Sequence, residues 1–214
     1  MTSLVAATAL LIASHVLPSM PSIRTSLIDR LGRRGFYAAY SILSLLALGL
    51  VVLAYRAAGP GPWLYTPVPG SRVMALVGMM PAILLLVARL STRTDPAAPQ
   101  GIYRLSEVPG SLAVLLWALL HLVNLAEARQ VVVFSGMALI AAAALIKNLR
   151  HAPPAWREVG LFRGSALGRA VLWREVRWWR PALALLVYLA LLGLHPVVVG
   201  RDPLAGLFRS VMHD

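Results

Sequence analysis

The chain has 214 residues, of which 59% are hydrophobic and only 13% charged, and its formal net charge is +12. Because a soluble domain usually carries about 25% charged residues, this composition excludes an ordinary water-soluble protein and indicates a polytopic α-helical membrane protein. Cysteine is absent, which excludes disulfides, thiol nucleophiles and iron–sulfur clusters.

Six apolar segments of membrane-spanning length follow one another along the chain. They cover residues 3–20, 36–56, 73–90, 110–126, 130–147 and 181–199. Pro109 and Pro181 each stand where a helix would begin, and a proline at the first helical position loses no hydrogen bond. The pattern therefore predicts an all-α membrane bundle of about six transmembrane helices.

Residues 155–180 are too charged to span a bilayer. Trp156 and Phe162 belong to an apolar series at helical spacing, and arginines such as Arg157 lie between its members. This pattern predicts an amphipathic helix in the membrane interface, with a solvated, partly helical linker as the alternative. The predicted organisation is a five-helix domain at 1–150, an interfacial segment at 151–180, and the sixth helix with a tail at 181–214.

The basic residues are unevenly distributed between the connecting segments. Most of the 20 lysines and arginines follow the first, third and fifth apolar segments. The positive-inside rule therefore predicts a multi-pass protein of the bacterial inner membrane with both termini in the periplasm. The same asymmetry explains the net charge through contact with anionic membrane lipids, and no motif indicates binding to nucleic acid.

Two histidines lie inside apolar segments, where lipid offers no partner to an imidazole. At about 1.5 Å per residue, His121 lies about 18 Å from the cytoplasmic end of the fourth helix and His15 about 8 Å from that of the first. Each ring must therefore meet a metal, a hydrogen-bond acceptor or another polar group. A structural role is the alternative, with His121 bonded to a carbonyl, to Asn124 or to a tyrosine.

Four short motifs are distinctive, and two of them contain these histidines. They are Ser14-His15-xx-Pro18, Gly32-xx-Gly35-Phe36-Tyr37, Leu116-Trp117-xxx-His121-Leu122 and Phe134-Ser135-Gly136. Together they resemble the NnrU family of membrane proteins over roughly residues 10–150. The resemblance implies a multi-helix membrane protein linked to bacterial denitrification.

The NnrU family is in turn similar to the 15-cis-ζ-carotene isomerase, which holds haem b through histidine in the membrane. The resemblance therefore implies that His15 and His121 are candidate ligands of haem iron and that Arg104 is a candidate cofactor-binding residue. Membrane methyltransferases that bind S-adenosylmethionine are a more distant likeness. One departure weakens both: where the family has Arg-xx-Arg-His-Pro, this chain keeps Arg104 but has Glu107 and Val108 before the proline.

Three hypotheses for function follow. The first is an accessory or assembly protein that binds a larger membrane complex or a hydrophobic small molecule. The second is a haem b redox protein or a carotenoid-type isomerase, and the third is a lipid methyltransferase. The glutamates Glu107, Glu127, Glu158 and Glu175 all fall at or beyond predicted helix ends, so no buried carboxylate pair is expected for general acid–base catalysis.

Overall fold

The computed structural model describes residues 1–95, 97, 99–151, 175 and 177–205, and these form helices joined by turns. The six helices of this part of the chain are α1 (Thr2–Val16), α2 (Pro21–Ala57), α3 (Ser71–Ser91), α4 (Pro109–Asn124), α5 (Ala128–Arg150) and α6 (Trp179–Val199). Two 3-10 turns, Leu17–Ser19 and Gly101–Arg104, lie between them. The prediction of an all-α membrane bundle is confirmed.

Five of these helices are long and apolar enough to cross a membrane: α1 with its 3-10 extension, α2, α3, α5 and α6. The fourth predicted segment also forms an apolar helix, α4, but this helix is shorter and has 16 residues. At about 1.5 Å per residue it measures about 24 Å, less than the roughly 30 Å of a hydrocarbon core. Leu125 still donates to the carbonyl of His121, and Ala126 and Ala128 then bond to the loop around Pro62.

The arginine-rich segment after the first helix differs from the prediction. It was expected to be a loop, but it forms the beginning of α2, which starts at Pro21. The helix is kinked at Gly32, whose φ of 68° and ψ of 164° are not helical. A positive φ of this kind suits glycine because it has no Cβ. Arg24 and Arg30 therefore lie on a helix.

The predicted amphipathic helix at 155–180 lies mostly outside the described residues. The structure describes Glu175 and, from Arg177 on, the residues that lead into α6. The helix α6 begins at Trp179, close to the predicted start of the sixth segment.

The chain divides into two compact units. The first unit comprises Met1–Val68 and Val114–His151, and the second comprises Pro69–Ala113 and Ala152–Asp214. Both are discontinuous in sequence, whereas the three predicted segments were contiguous. The core of the second unit contains Ile83 and Val87 of α3 and Ala184 of α6.

The core of the first unit joins α1, α2 and α5 through Leu4, Leu11 and Val51 and their neighbours. The helices α1 and α5 approach each other closely at Gly136, since a β-carbon at this position would clash with Cγ2 of Thr8. Small residues allow membrane helices to come this close. Gly136 belongs to one of the motifs described above, so the motif has a packing role.

Candidate functional site

His121 lies in an aromatic cluster of the first unit, between α4 and α5. Its ring stacks on Phe134 with centroids 4.3 Å apart and an interplanar angle of 19°. Trp117 packs against both rings, at 5.1 Å from each. The Nδ1 atom of His121 lies 2.8 Å from the carbonyl oxygen of Trp117, one helical turn earlier. The ring of His121 therefore lies among aromatic side chains, and a backbone carbonyl is one of its polar partners.

His15 is held in a similar way near the end of α1. Its Nδ1 lies 2.9 Å from the carbonyl oxygen of Leu11 and 3.1 Å from Oγ of Ser14. The Ser14 hydroxyl donates to the same carbonyl at 2.8 Å. Tyr40 of α2 meets the imidazole edge-on, with centroids 5.8 Å apart. A tyrosine at this ring was not predicted from the sequence.

The hydrogen bonds determine the tautomer of both histidines. A carbonyl oxygen only accepts, so the nitrogen beside it, Nδ1, carries the proton in each neutral ring. The lone pair then lies on Nε2. A histidine that ligates a metal commonly donates its other N–H to such an acceptor. Each histidine taken alone therefore has a tautomer suited to ligation through Nε2.

The structure does not bring His15 and His121 together. Two contacts show that α1 and α5 run parallel. Gly136 packs on Thr8, and eleven residues further along each of the two segments Lys147 donates to Ser19 at 3.3 Å. In that register, Phe134 and the ring stacked on it lie about nine residues, or about 13 Å, from the level of His15. Two axial histidines of one haem must reach the same iron. An offset of this size does not favour ligation of one iron by both residues.

Arg104 lies in the second unit, where a carboxylate of the same chain engages its guanidinium. Its Nε lies 3.1 and 3.0 Å from the two carboxylate oxygens of Glu175, and its Nη2 donates at 2.9 Å. The backbone N–H of Gly101 donates to the same carboxylate at 2.6 Å. These bonds, those from Arg104 first, hold the pKa of Glu175 below its ordinary value. We name this arrangement the Glu175 clamp.

Glu127 forms a second arrangement of the same kind, in the first unit. Its Oε1 accepts the backbone N–H of Gly61 at 2.9 Å and lies 2.6 Å from Nε of Arg129. The Nε–H of Arg129 does not point at this oxygen, so the contact is a charge pair rather than an aligned hydrogen bond. Arg129 also lies over the ring of Tyr55, 4.8 Å from its centre. We name this arrangement the Glu127 clamp.

The backbone around Glu127 joins two connecting segments. Leu64 donates to the carbonyl of Ala126 at 2.8 Å, and Ala128 donates to that of Pro62 at 2.9 Å. Glu127 was expected at or beyond a helix end, and it stands at the residue that precedes α5, where it is buried. The sequence signal that could have found it is the Glu-x-Arg pattern opposite a Gly- and Pro-rich loop.

Comparison with known proteins gives one result. The family described as NnrU protein matches residues 3–203. The chain belongs to the NnrU family. No curated protein and no solved structure gives a significant match.

The NnrU match extends beyond the motifs from which the resemblance was recognised. The resemblance covers roughly residues 10–150, whereas the match extends to residue 203 and so includes α6 and the Glu175 clamp. Glu175 and Arg104 therefore lie inside the region that this chain shares with the NnrU family. Among the described residues, no group of three or more histidines or carboxylates is placed to hold a metal ion.

Proposed function

We propose that this NnrU-family membrane protein is an accessory or assembly protein, which binds a larger membrane complex or a hydrophobic small molecule through its apolar helix surfaces. The observation that carries the proposal is that the polar groups are engaged by other groups of the same chain. Glu127 and Glu175 are engaged by arginines and backbone N–H groups, and both membrane histidines bond to carbonyls of their own helices. These groups serve the framework rather than acid–base chemistry.

Large apolar side chains dominate the exposed surfaces of the helices. Leu45 is 69% exposed, Leu53 65% and Leu186 64%. A membrane helix surface of this kind meets lipid tails or another membrane protein. An accessory protein needs such a surface, and the complexes that it would bind would lie in the same inner membrane.

Site-specific photo-cross-linking in native membranes tests the proposal. Benzoylphenylalanine at Leu45, Leu53 or Leu186 should capture a discrete membrane protein or a defined hydrophobic molecule, identified by mass spectrometry. Tyr188 is the matched control, because its hydroxyl donates to the carbonyl of Leu76 at 2.9 Å and the same substitution there should cross-link only within the chain. Adducts to bulk phospholipid alone at all three leucines would refute the proposal.

The proposed orientation places both termini in the periplasm. Its support is the arginine distribution, including Arg30, Arg33 and Arg34, which are exposed on α2. Because the chain has no cysteine, single cysteines can be introduced without prior substitutions. A membrane-impermeant maleimide added to intact spheroplasts should label Ser3→Cys and should spare Arg93→Cys. The reverse pattern would invert the topology.

Haem b binding is the second candidate function, favoured by the Nδ1–H tautomer of both histidines. Since the offset of about 13 Å does not favour ligation by both His15 and His121, one of them would hold the iron through Nε2. The bound haem would supply electron transfer or Lewis-acid assistance to a polyene substrate. A haem absorption band lost in only one of His15→Ala and His121→Ala, and retained in His151→Ala, would support this candidate. A lipid methyltransferase stays the third hypothesis, and the engagement of Arg104 by Glu175 lends it no support.

A further inference from the structure

Two basic side chains of the first unit lie within range of each other's charge. Lys147 belongs to the last turn of α5, and Arg24 belongs to the beginning of α2. The charge of Arg24 acts on that of Lys147, and both residues are partly buried. Like charges that are partly shielded from water repel each other more strongly than in bulk solvent. An anion bound beside both cations would remove this repulsion.

The described part of the chain supplies no carboxylate to either cation. Its ion pairs are those of the two clamps. Lys147 donates to the hydroxyl of Ser19 at 3.3 Å, and Arg24 donates to that of Tyr37 at 2.9 Å. Both acceptors are neutral. Asp29 lies on the same helix as Arg24, but it is exposed and pairs with neither cation. The two positive charges are therefore uncompensated within the described residues.

The two hydroxyl contacts hold the cations in place and leave donors for a ligand. Ser19 donates to the carbonyl of His15 at 2.8 Å, which fixes its oxygen as the acceptor for Lys147. An ammonium has three N–H donors and a guanidinium five, so most of them are not used by these contacts. The hydroxyl of Tyr37 accepts from Arg24 and keeps its own proton for another acceptor. Tyr37 is 48% exposed, so a ligand can reach this group from the surface.

The kink at Gly32 makes this arrangement possible. Arg24 and Tyr37 are 13 residues apart, and in a straight helix this separation would be about 20 Å. The positive φ of Gly32 bends α2, so that the guanidinium reaches the Tyr37 hydroxyl and lies 5.0 Å from the centre of the Phe36 ring. Gly32, Phe36 and Tyr37 belong to one of the motifs described above. The motif therefore serves to bring Arg24 to this position.

The position of the cations along the helices favours a lipid headgroup over a soluble anion. Ser19 ends a segment that is long and apolar enough to cross a membrane, and Lys147 lies near the end of another. Because α1 and α5 run parallel, both ends would lie at the same membrane surface. Leu17 and Met20, on either side of this turn, are exposed and offer apolar surface to acyl chains. Basic pockets between membrane helices bind anionic headgroups in this way.

We propose that Arg24, Lys147 and Tyr37 form a binding site for the phosphate group of an anionic phospholipid. The guanidinium and the ammonium bind the charged phosphate oxygens, and the Tyr37 hydroxyl donates to one of them. Ser19 positions the ammonium. Two uncompensated positive charges favour an anionic headgroup over a zwitterionic one. The site does not depend on the proposed accessory role.

Thermal unfolding of the purified, delipidated full-length protein in neutral detergent tests this site. One series adds phosphatidylglycerol, and the control series adds phosphatidylcholine with the same acyl chains. A third series adds inorganic phosphate against chloride at the same ionic strength. Phosphatidylglycerol should raise the unfolding midpoint saturably and well above phosphatidylcholine, and inorganic phosphate should act no more strongly than chloride. Equal responses to the two lipids, or an equal response to inorganic phosphate, would overturn the proposal.

Five variants separate the site from general charge. Arg24→Gln and Lys147→Gln should each weaken phosphatidylglycerol binding by about tenfold, since a charge-assisted contact is lost. Tyr37→Phe removes only a hydroxyl and should weaken binding by about fivefold. Arg30→Gln and Arg150→Gln are the matched controls, because each removes a charge from an exposed position on the same helix as one of the two cations. Both controls should leave the affinity within about twofold.

The lipid-free protein provides a readout that a structural role of Lys147 would reverse. Glutamine at position 147 can still donate to Ser19 and removes the repulsion with Arg24. The lipid-free unfolding midpoint of Lys147→Gln should therefore not fall below that of the wild type, although its response to phosphatidylglycerol falls. An unchanged lipid affinity in Lys147→Gln would overturn the proposal even if Arg24→Gln does not fold. A loss in Arg150→Gln as large as that in Lys147→Gln would do the same, because binding would then reflect overall charge.

Discussion

The Glu127 clamp and the Glu175 clamp use the same parts in different surroundings. In each, a glutamate accepts the N–H of a loop glycine and pairs with an arginine. The side chain of Glu127 is 6% exposed and its arginine is the next residue but one. The side chain of Glu175 is 29% exposed and its arginine is 71 residues away. Burial should make the first clamp more important for stability, because solvent screens the second.

Loss of the Glu127 charge should have the largest effect. Glu127→Gln keeps the side-chain volume but leaves Arg129 largely buried without its counter-charge. Breaking a buried pair in this way destabilises a protein by about 3 kcal/mol or more. Reversible unfolding in mixed detergent micelles measures the change. Glu107→Gln is the control and should change the stability by less than about 0.5 kcal/mol; equal effects of the two variants would contradict the comparison.

The contact between α1 and α5 in the first unit should have the next largest effect. This contact does not involve the Glu127 clamp. Gly136→Ala forces a β-carbon against Thr8, and overpacking of this kind costs about 1–3 kcal/mol. Thr8→Ser removes the methyl group that clashes, so the double variant should recover at least half of the loss in the same unfolding experiment. No recovery would show that α1 and α5 are not in contact at this point.

Loss of the Glu175 charge should have a smaller effect. Glu175→Gln removes the aligned ion pair with Arg104 but leaves the arginine partly exposed to solvent. We expect a loss of about 1 kcal/mol, within the range of hydrogen bonds to charged groups that are partly screened. A loss as large as that of Glu127→Gln would mean that exposure does not distinguish the clamps.

The pH dependence of the Glu175 clamp should be the smallest effect. The hydrogen bonds from Arg104 first, and also that from Gly101, hold the pKa of Glu175 below the ordinary 4.5. A lowered carboxyl pKa stabilises the folded state above the unfolded-state value, and this contribution is lost as pH falls through the folded-state value. The stability difference between wild type and Glu175→Gln should therefore stay constant above about pH 5.5 and shrink below about pH 4. A difference that grows on acidification would refute this sign.

The sequence predicted the helices well because apolar runs of membrane length have few alternatives. It predicted the environment of His121 in part: the carbonyl partner was anticipated, whereas the stacking on Phe134 depends on how α4 and α5 pack. The helical conformation after Pro21 was missed, since a dense arginine segment also suits a loop. The Arg104–Glu175 pair joins residues 71 positions apart, and no local pattern indicates which arginine a distant glutamate will meet.

The central proposal is that the polar groups of this NnrU-family protein serve its framework, and that its apolar surface would bind a partner. The haem content of the purified wild-type protein, produced with ample haem and measured as the ratio of haem b to polypeptide, tests this claim most directly. The account predicts a ratio far below one haem per chain, with no reduced-minus-oxidised signal that depends on His121. A stoichiometric haem b whose spectrum is lost in His121→Ala would contradict it.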